Sequence, residues 1–345
     1  MIRPTAAPLT GEGFVDQDGH SPLDDAMKRA GETLKAATTV ALACHVNPDP
    51  DAIGSMLGLG LWLRSQGKDV VCSWGNDPLQ PPRWLSALSG SELIVEAKQF
   101  PKKPEVMVAL DTASPDRLGP LGANAEKADC VIVIDHHRTN PGFGSIVLLD
   151  PAASSTCEMV FRLVRSMGGE LSDESAACLY AGVITDTGRF QYESTTPETL
   201  RVAAELRTHD FDHTLVARAL FEDTSLPALR LTAIALQRVV HVPEASLMWT
   251  YILQSDLVAT GGEMLETDDL IDLVRTAREA DVTCILKQQR DGRFKASLRS
   301  KGGTDVGAVA QSFGGGGHRL AAGYTSPTGL ADSIRAVQEA VLAAR

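Results

Sequence analysis

The stretch HVNPDPDAIGS, residues 45–55, follows the apolar run TTVALAC (38–44) and leads into MLGLGLWL (56–63). A continuous apolar run that stops at a polar junction reads as a buried parallel strand reaching its carboxyl end. One imidazole and two carboxylates, His45, Asp49 and Asp51, stand there within seven residues. Open parallel sheets bind ligands beyond the carboxyl ends of their strands. Asp49 and Asp51 lie beside Pro48 and Pro50, so both point one way if the backbone stays extended. The plainer reading of the same residues is a polar loop with Asp51 as a helix cap.

Working outward, residues 69–74, 106–110 and 130–134 are further short apolar runs of strand type. Helical patterns over 52–66, 82–88, 155–167 and 172–184 alternate with them. Thr196-Pro197-Glu198 supplies a cap, an N1 proline and an early acid for a helix running to about His209. This alternation predicts an α/β fold: an N-terminal parallel sheet with helices on both faces. Residues 226–240 read as an amphipathic helical connector. The texture then changes. Residues 246–254 alternate like a strand. Residues 282–289 and 293–300 flank Asp291-Gly292, a hairpin signal. A helix (306–313), the run GGGGH and a last helix (331–344) complete a smaller α/β C-terminal domain. The expected organisation is a flexible tail over 1–24, a sheet domain over 25–222, a connector over 223–244 and the second domain over 245–345.

The totals set limits. A chain of 345 residues suits two domains, and 43% hydrophobic content supports real cores. A formal charge of -12 argues against duplex DNA as the main partner, though not against a small anion held by local basic residues. No signal peptide and no span of about 20 apolar residues is evident, so a soluble cytoplasmic protein away from membranes is expected. None of the six cysteines forms a C-x-x-C pair, and reduced structural thiols are expected.

Three more junctions carry ligand-grade side chains. VMVALDTAS (106–114) puts Asp111 directly after a strand, where a helix cap is the plainer reading. CVIVIDHH (130–137) ends in Asp135, His136 and His137. Burying these is costly unless they are paired or coordinate something, which favours function. In YAGVITDTGRFQY (180–192), Asp186 stands near the end of an apolar helix, where the dipole disfavours an anion unless a cation is near. A surface aspartate before Gly188 is the alternative. His20, His209, His213 and His241 lie in no comparable setting. Four or five carboxylates with two or three imidazoles and no thiolate suit Mn²⁺ or Mg²⁺ better than structural zinc. They are too many for one ion. Two ions sharing an aspartate, typically ~3.5–4 Å apart, fit better.

At this point the sequence resembles the DHH phosphoesterases. HVNPDPDAIGS, ALDTAS, VIDHH and VITDTGRF match their metal-site motifs in order, and GGGGHRLAAG with SLRSKGG before it resembles the DHH-associated C-terminal domain. Pro50 departs from the more usual glycine or alanine, and should stiffen the loop without removing a ligand. The resemblance implies that His45, Asp49 and Asp111 hold one Mn²⁺. Asp51, Asp111, His136 and Asp186 would hold the other, with Asp111 bridging and with Mg²⁺ or Co²⁺ as substitutes. It implies that His137 faces the substrate phosphate and that Asp135 orients the neighbouring imidazoles. Length and layout favour the compact nanoRNase type. That type hydrolyses short single-stranded oligoribonucleotides and dinucleotides such as pApA and pGpG, and phosphorylated adenosine nucleotides such as 3′-phosphoadenosine 5′-phosphate. A homodimer is compatible with the family. The alternatives are a RecJ-like single-strand exonuclease, which carries extra domains, and a non-catalytic nucleotide or RNA sensor, which would have lost ligands. Family II pyrophosphatases share the metal motifs but lack GGGH.

Between Lys287 and Arg319 stand seven basic residues against two acids. Most such runs are solvated faces, and Arg290 and Arg293 beside the turn fit that reading. Arg299 and His318 match the family's substrate-phosphate positions. Gly315, Gly316 and Gly317 would let backbone N–H groups approach an anion, although a glycine run alone is more often a flexible turn.

Overall fold

The structure, a computed structural model, describes residues 22–345. Most of the expected tail lies outside the described residues; its last three, Pro22-Leu23-Asp24, open a helix. The chain divides into two compact units, the first ending at Asp223 and the second beginning at Thr224.

In the first unit, α1 (Pro22–Ala36) precedes β1 (Thr39–Cys44), α2 (Pro50–Ser65) and β2 (Asp69–Trp74). Next come β3 (Val106–Leu110), the short α3 (Gly122–Ala125), β4 (Cys130–Asp135) and β5 (Ile146–Leu149). Helices α4 (Thr156–Ser166), α5 (Asp173–Asp186), α6 (Pro197–Leu206) and α7 (His213–Phe221) complete it. The five strands are parallel, in the order β2-β1-β3-β4-β5. Successive side chains point to opposite faces of a strand. Val40, Leu42 and Cys44 of β1 therefore join the core shared with α1, α2, α4 and α5. Ala41 and Ala43 face the opposite side, with Leu118, Leu121 and Ala125 of the turn Pro115–Leu121 and α3. Residues 82–88, expected as an α-helix, form the tighter 3₁₀ turn Arg83–Ala87 after two prolines. β5 has four residues and α7 nine, too short to stand out as patterns.

Chain order runs from β1 outward to β2 and then back across to β3. The carboxyl ends of β1 and β3 thus flank the point where the order reverses, the crevice in which such sheets bind ligands. Helices α2 and α5 cross there at unusually close range. A Cβ at Gly54 would lie 2.5 Å from the Cys178 carbonyl oxygen, and one at Gly182 would lie 2.6 Å from Asp51 Oδ1. Only glycine fits either position.

The second unit holds α8 (Leu226–Gln237), β6 (Val240–Val242), β7 (Leu247–Ile252), α9 (Gln254–Thr260) and α10 (Leu270–Arg275). It continues through β8 (Val282–Gln288), β9 (Phe294–Ser300), α11 (Val306–Ser312), β10 (Gly316–His318), β11 (Ala321–Ser326) and α12 (Leu330–Ala343). Its six-stranded mixed sheet runs β10-β11-β9-β8-β7-β6. Helices α11 and α12 cover one face through Val306, Val309, Val337 and Val341. Helices α8 and α10 cover the other through Leu231, Ala235, Leu270 and Val274. Gly292, at φ +86°, turns the β8–β9 hairpin.

Candidate metal centre

His45 follows β1, Asp111 follows β3, Asp135 ends β4 with His136 and His137 next, and Asp186 is the last residue of α5. The junction after β1 does not stay extended. Pro50 takes the first helical position of α2, and the cap is Asp49, not Asp51: its Oδ1 accepts from the Ala52 N–H at 3.0 Å. Asp51 sits in the first turn and is buried. The two carboxylates therefore serve different neighbours. Asp49 Oδ2 lies 3.7 Å from His45 Nε2, while Asp51 Oδ2 lies 4.0 Å from His136 Nε2.

Asp111 stands between them. Its Oδ2 is 3.5 Å from His45 Nε2 and its Oδ1 is 3.7 Å from His136 Nε2. Asp186 Oδ2 closes the second cluster, 3.4 Å from His136 Nε2. Ligand-grade atoms within 4.8 Å of one another thus gather as His45-Asp49-Asp111 and as Asp51-His136-Asp186. His137 with Asp111 and His136 forms a third such group. Among the described residues no lysine or arginine pairs with any of these carboxylates.

The electrostatics follow from that crowding. Burial, then Asp111 and Asp186, push the Asp51 carboxyl well above its usual range. Burial, then Asp111 and Asp49, push Asp186 up to about 7. Burial would lower the His45 imidazole, but bonds to Asp111, Asp49 and the Val46 carbonyl raise it to about 10. The Asp135 bond lifts His137 to about 9 against the effect of burial. A divalent cation is the group that would relieve four converging carboxylates.

The imidazoles suit such an ion. His45 Nδ1 lies 2.9 Å from the Val46 carbonyl oxygen and His136 Nδ1 lies 3.3 Å from that of Ala153. A carbonyl only accepts, so each Nδ1 carries the proton. Each Nε2 is left facing the carboxylates, the usual outer-shell arrangement of a metal-binding histidine.

Three supporting residues carry no sequence signal of their own. The α4 N-terminus caps Asp51, with the Thr156 N–H 2.7 Å from Oδ2 and the Cys157 N–H 2.9 Å from Oδ1. The Thr156 hydroxyl also donates to Asp111 Oδ1 at 3.0 Å. Asn140 bonds Asp135. Ser155 could be read as a cap from sequence. That the first turn it caps would bind a carboxylate from α2 could not.

In the second unit, His318, Ala321 and Arg299 stand opposite one another across β10, β11 and β9. Directly opposed residues share a face, so Arg299 and His318 flank the small Ala321, about 10 Å apart at the strand spacing. Arg299 Nε lies 3.5 Å from Asp272 Oδ1. Gly316 and Gly317 of the glycine run lie in β10. A Cβ at Gly315 would lie 2.3 Å from the Gly323 carbonyl oxygen, and one at Gly317, at φ +143°, 2.5 Å from Ala322 Cα. Close packing on β11 therefore demands glycine at both positions, whatever else they bind. Gly316 faces open space.

Residues 39–183 match the DHH family, N-terminal domain, and residues 251–344 match the DHHA1 domain. A Thermus thermophilus protein named bifunctional oligoribonuclease and PAP phosphatase NrnA is 37% identical over 314 residues, 89% of this chain and 91% of that protein. A Bacillus subtilis protein of the same name is 29% identical, covering 84% and 90%. Among solved structures, an exopolyphosphatase-related protein from Bacteroides fragilis superposes with a TM-score of 0.85 at 26% identity, covering 96% of this chain and 97% of that one. Exonuclease RecJ bound to manganese shares the fold at a TM-score of 0.52 and 16% identity. The chain therefore belongs to the DHH family of phosphoesterases and carries a DHHA1 domain in its second unit.

Proposed function

We propose that this chain is a Mn²⁺-dependent hydrolase that cuts short oligoribonucleotides and dinucleotides, such as pApA and pGpG, to mononucleotides. We further propose that it converts 3′-phosphoadenosine 5′-phosphate to AMP. One observation carries the reading: Asp111 turns its two oxygens to different imidazoles, at 3.5 Å and 3.7 Å, between two carboxylate clusters. The Thermus thermophilus and Bacillus subtilis relatives support the substrate class, since their names describe both activities and most of their length matches.

In this reading His45 and Asp49 hold one ion, Asp51, His136 and Asp186 hold the second, and Asp111 serves both. Two Mn²⁺ ions, with Mg²⁺ or Co²⁺ as substitutes, would supply an activated water and positive charge beside the phosphate. His137 is half-exposed and keeps Nδ1 on Asp135 at 2.7 Å. That leaves Nε2 to donate to a phosphoryl oxygen as charge develops there. Arg299 and His318, flanking Ala321, would give the second unit a face of hydrogen-bond donors for another phosphate.

The test sets three substrates side by side with Mn²⁺ and after chelation: an RNA of about three nucleotides, a single strand of about 25, and 3′-phosphoadenosine 5′-phosphate. Rapid mononucleotide release from the short RNA and phosphate from the third substrate are expected. Asp111→Ala should abolish both while the protein stays folded. Equal degradation of the long strand would replace the proposal with a RecJ-like activity. No cleavage by metal-loaded protein would leave a sensor.

A further inference from the structure

We propose that Asn140 is a positioning residue for His137, acting through Asp135. The inference rests on the reading that His137 meets the substrate phosphate.

Asn140 lies in the turn after β4 and is 7% exposed. Its Nδ2 donates to Asp135 Oδ2 at 2.6 Å and to the Thr112 carbonyl at 3.1 Å, and its Oδ1 accepts from the Gly142 N–H at 2.8 Å. The amide orientation is unambiguous. Flipped, it would set an oxygen against a carboxylate and a carbonyl, and an NH₂ group against an N–H. Both amide protons are therefore committed.

Asp135 is fully buried, with Oδ2 on Asn140 and Oδ1 on His137 Nδ1. The Asn140 bond fixes the plane of the carboxylate, and with it the direction from which Oδ1 receives the imidazole. Without that bond Asp135 turns about its side-chain axis, and His137, 42% exposed, loses the restraint that aims Nε2. None of the hydrogen bonds of Asn140 goes to any of the six residues assigned to the ions. Its effect should therefore fall on turnover rather than on ion binding. A plainer role also exists, because the Thr112 bond joins the β3 and β4 ends, and the experiment must separate the two.

Hydrolysis of pApA is compared for wild type, Asn140→Ala, His137→Gln and the double variant, with ion stoichiometry and melting midpoint measured for each. Asn140→Ala should lower kcat about 10- to 100-fold, the usual loss when an outer-shell partner is removed, with KM within about twofold. Ion stoichiometry should match wild type. The double variant should be no slower than His137→Gln alone, since both changes break one chain. If Asn140→Ala does not fold, Asn140→Leu, which keeps the bulk and removes both side-chain donors, carries the same comparison. Losses that multiply in the double variant, or a normal kcat in the Asn140 variants beside a crippled His137→Gln, would overturn the proposal alone. Wild-type turnover by His137→Gln would overturn the role of His137 and the proposal with it.

Discussion

Loading the metal centre should expel protons, more than one per chain at pH 7. His45, held at about 10, is an imidazolium there and must lose its Nε2 proton to become a ligand. Burial, with Asp111 and Asp186, pushes the Asp51 carboxyl in the same direction. Asp186, at about 7, is half-protonated and gives up part of a further proton. Isothermal titration of the metal-free protein with Mn²⁺ in two buffers of different ionisation enthalpy reads this directly: the slope of observed against buffer enthalpy is the proton count. Apparent affinity should therefore rise with pH. The same shifts set the sign for the fold. Asp51, Asp186 and His45 all have folded values above their unfolded ones, so the folded, metal-free protein binds more protons than the unfolded chain. Their stabilising effect is complete below the unfolded values. It is lost as pH rises, for Asp186 between about 4 and 7 and for His45 between about 6.5 and 10. The metal-free protein should melt lower at pH 8 than at pH 5, and Mn²⁺ should restore the difference. Heats at pH 7 that do not depend on buffer would refute the argument, since the carboxylates would then be ionised and His45 neutral before the ion arrives.

Gly182→Ala should destabilise the protein by about 1–3 kcal/mol through overpacking. It should also weaken Mn²⁺ binding, because the new methyl meets Cys157 and the Asp51 carboxylate; thermal melts and the same titration check both. Arg299→Ala and His318→Ala should each raise KM for short RNA several-fold with little change in kcat, as removal of a ground-state grip does. If KM is unchanged in both, this face is not the grip. Arg238 binds Asp256 through two bonds of 2.5 and 2.9 Å and lies 4.5 Å from the Tyr251 ring centroid. Arg238→Ala should cost about 1–3 kcal/mol by leaving Asp256 short of donors, read as a lower denaturation midpoint.

The strands that deliver ligands were legible because each is a continuous apolar run broken by a polar junction. CVIVIDHH shows both halves of that signal in eight residues. What stayed hidden is carried by groups without a residue-type signature. The N–H groups of Thr156 and Cys157 bind Asp51 across more than 100 residues of chain, and every residue but proline owns such a donor. Asn140 sits in HHRTNPG, where asparagine before proline reads as a turn. The cap of α2 was misplaced for a related reason. Both aspartates flank Pro50, and only the helix start decides which one caps and which turns inward.

Backbone strain was equally unreadable, and its location bears on function. Among the described residues, five non-glycine positions have positive φ: Asn47, Asp111, Arg189, Phe190 and Ser246. The first lies between two proposed ligands, the second is one, and the next two follow Asp186 by three and four residues. Each left-handed residue costs about 1–2 kcal/mol, and a bulky phenylalanine is a poor choice for it. Local bonds offset the strain one position at a time. The Asn47 N–H and side-chain oxygen both pair with the Asn76 amide at 2.7 Å, the Phe190 N–H donates to the Thr187 hydroxyl at 3.1 Å, and Arg189 lies 4.2 Å from the Phe221 ring centroid. Relaxing these turns would re-aim the side chains they carry or flank, and ion ligation tolerates only about 0.2 Å in ligand distance. The fold thus keeps strained backbone where carboxylates must converge against their own repulsion. Stabilising substitutions chosen to relieve that strain should therefore weaken ion binding.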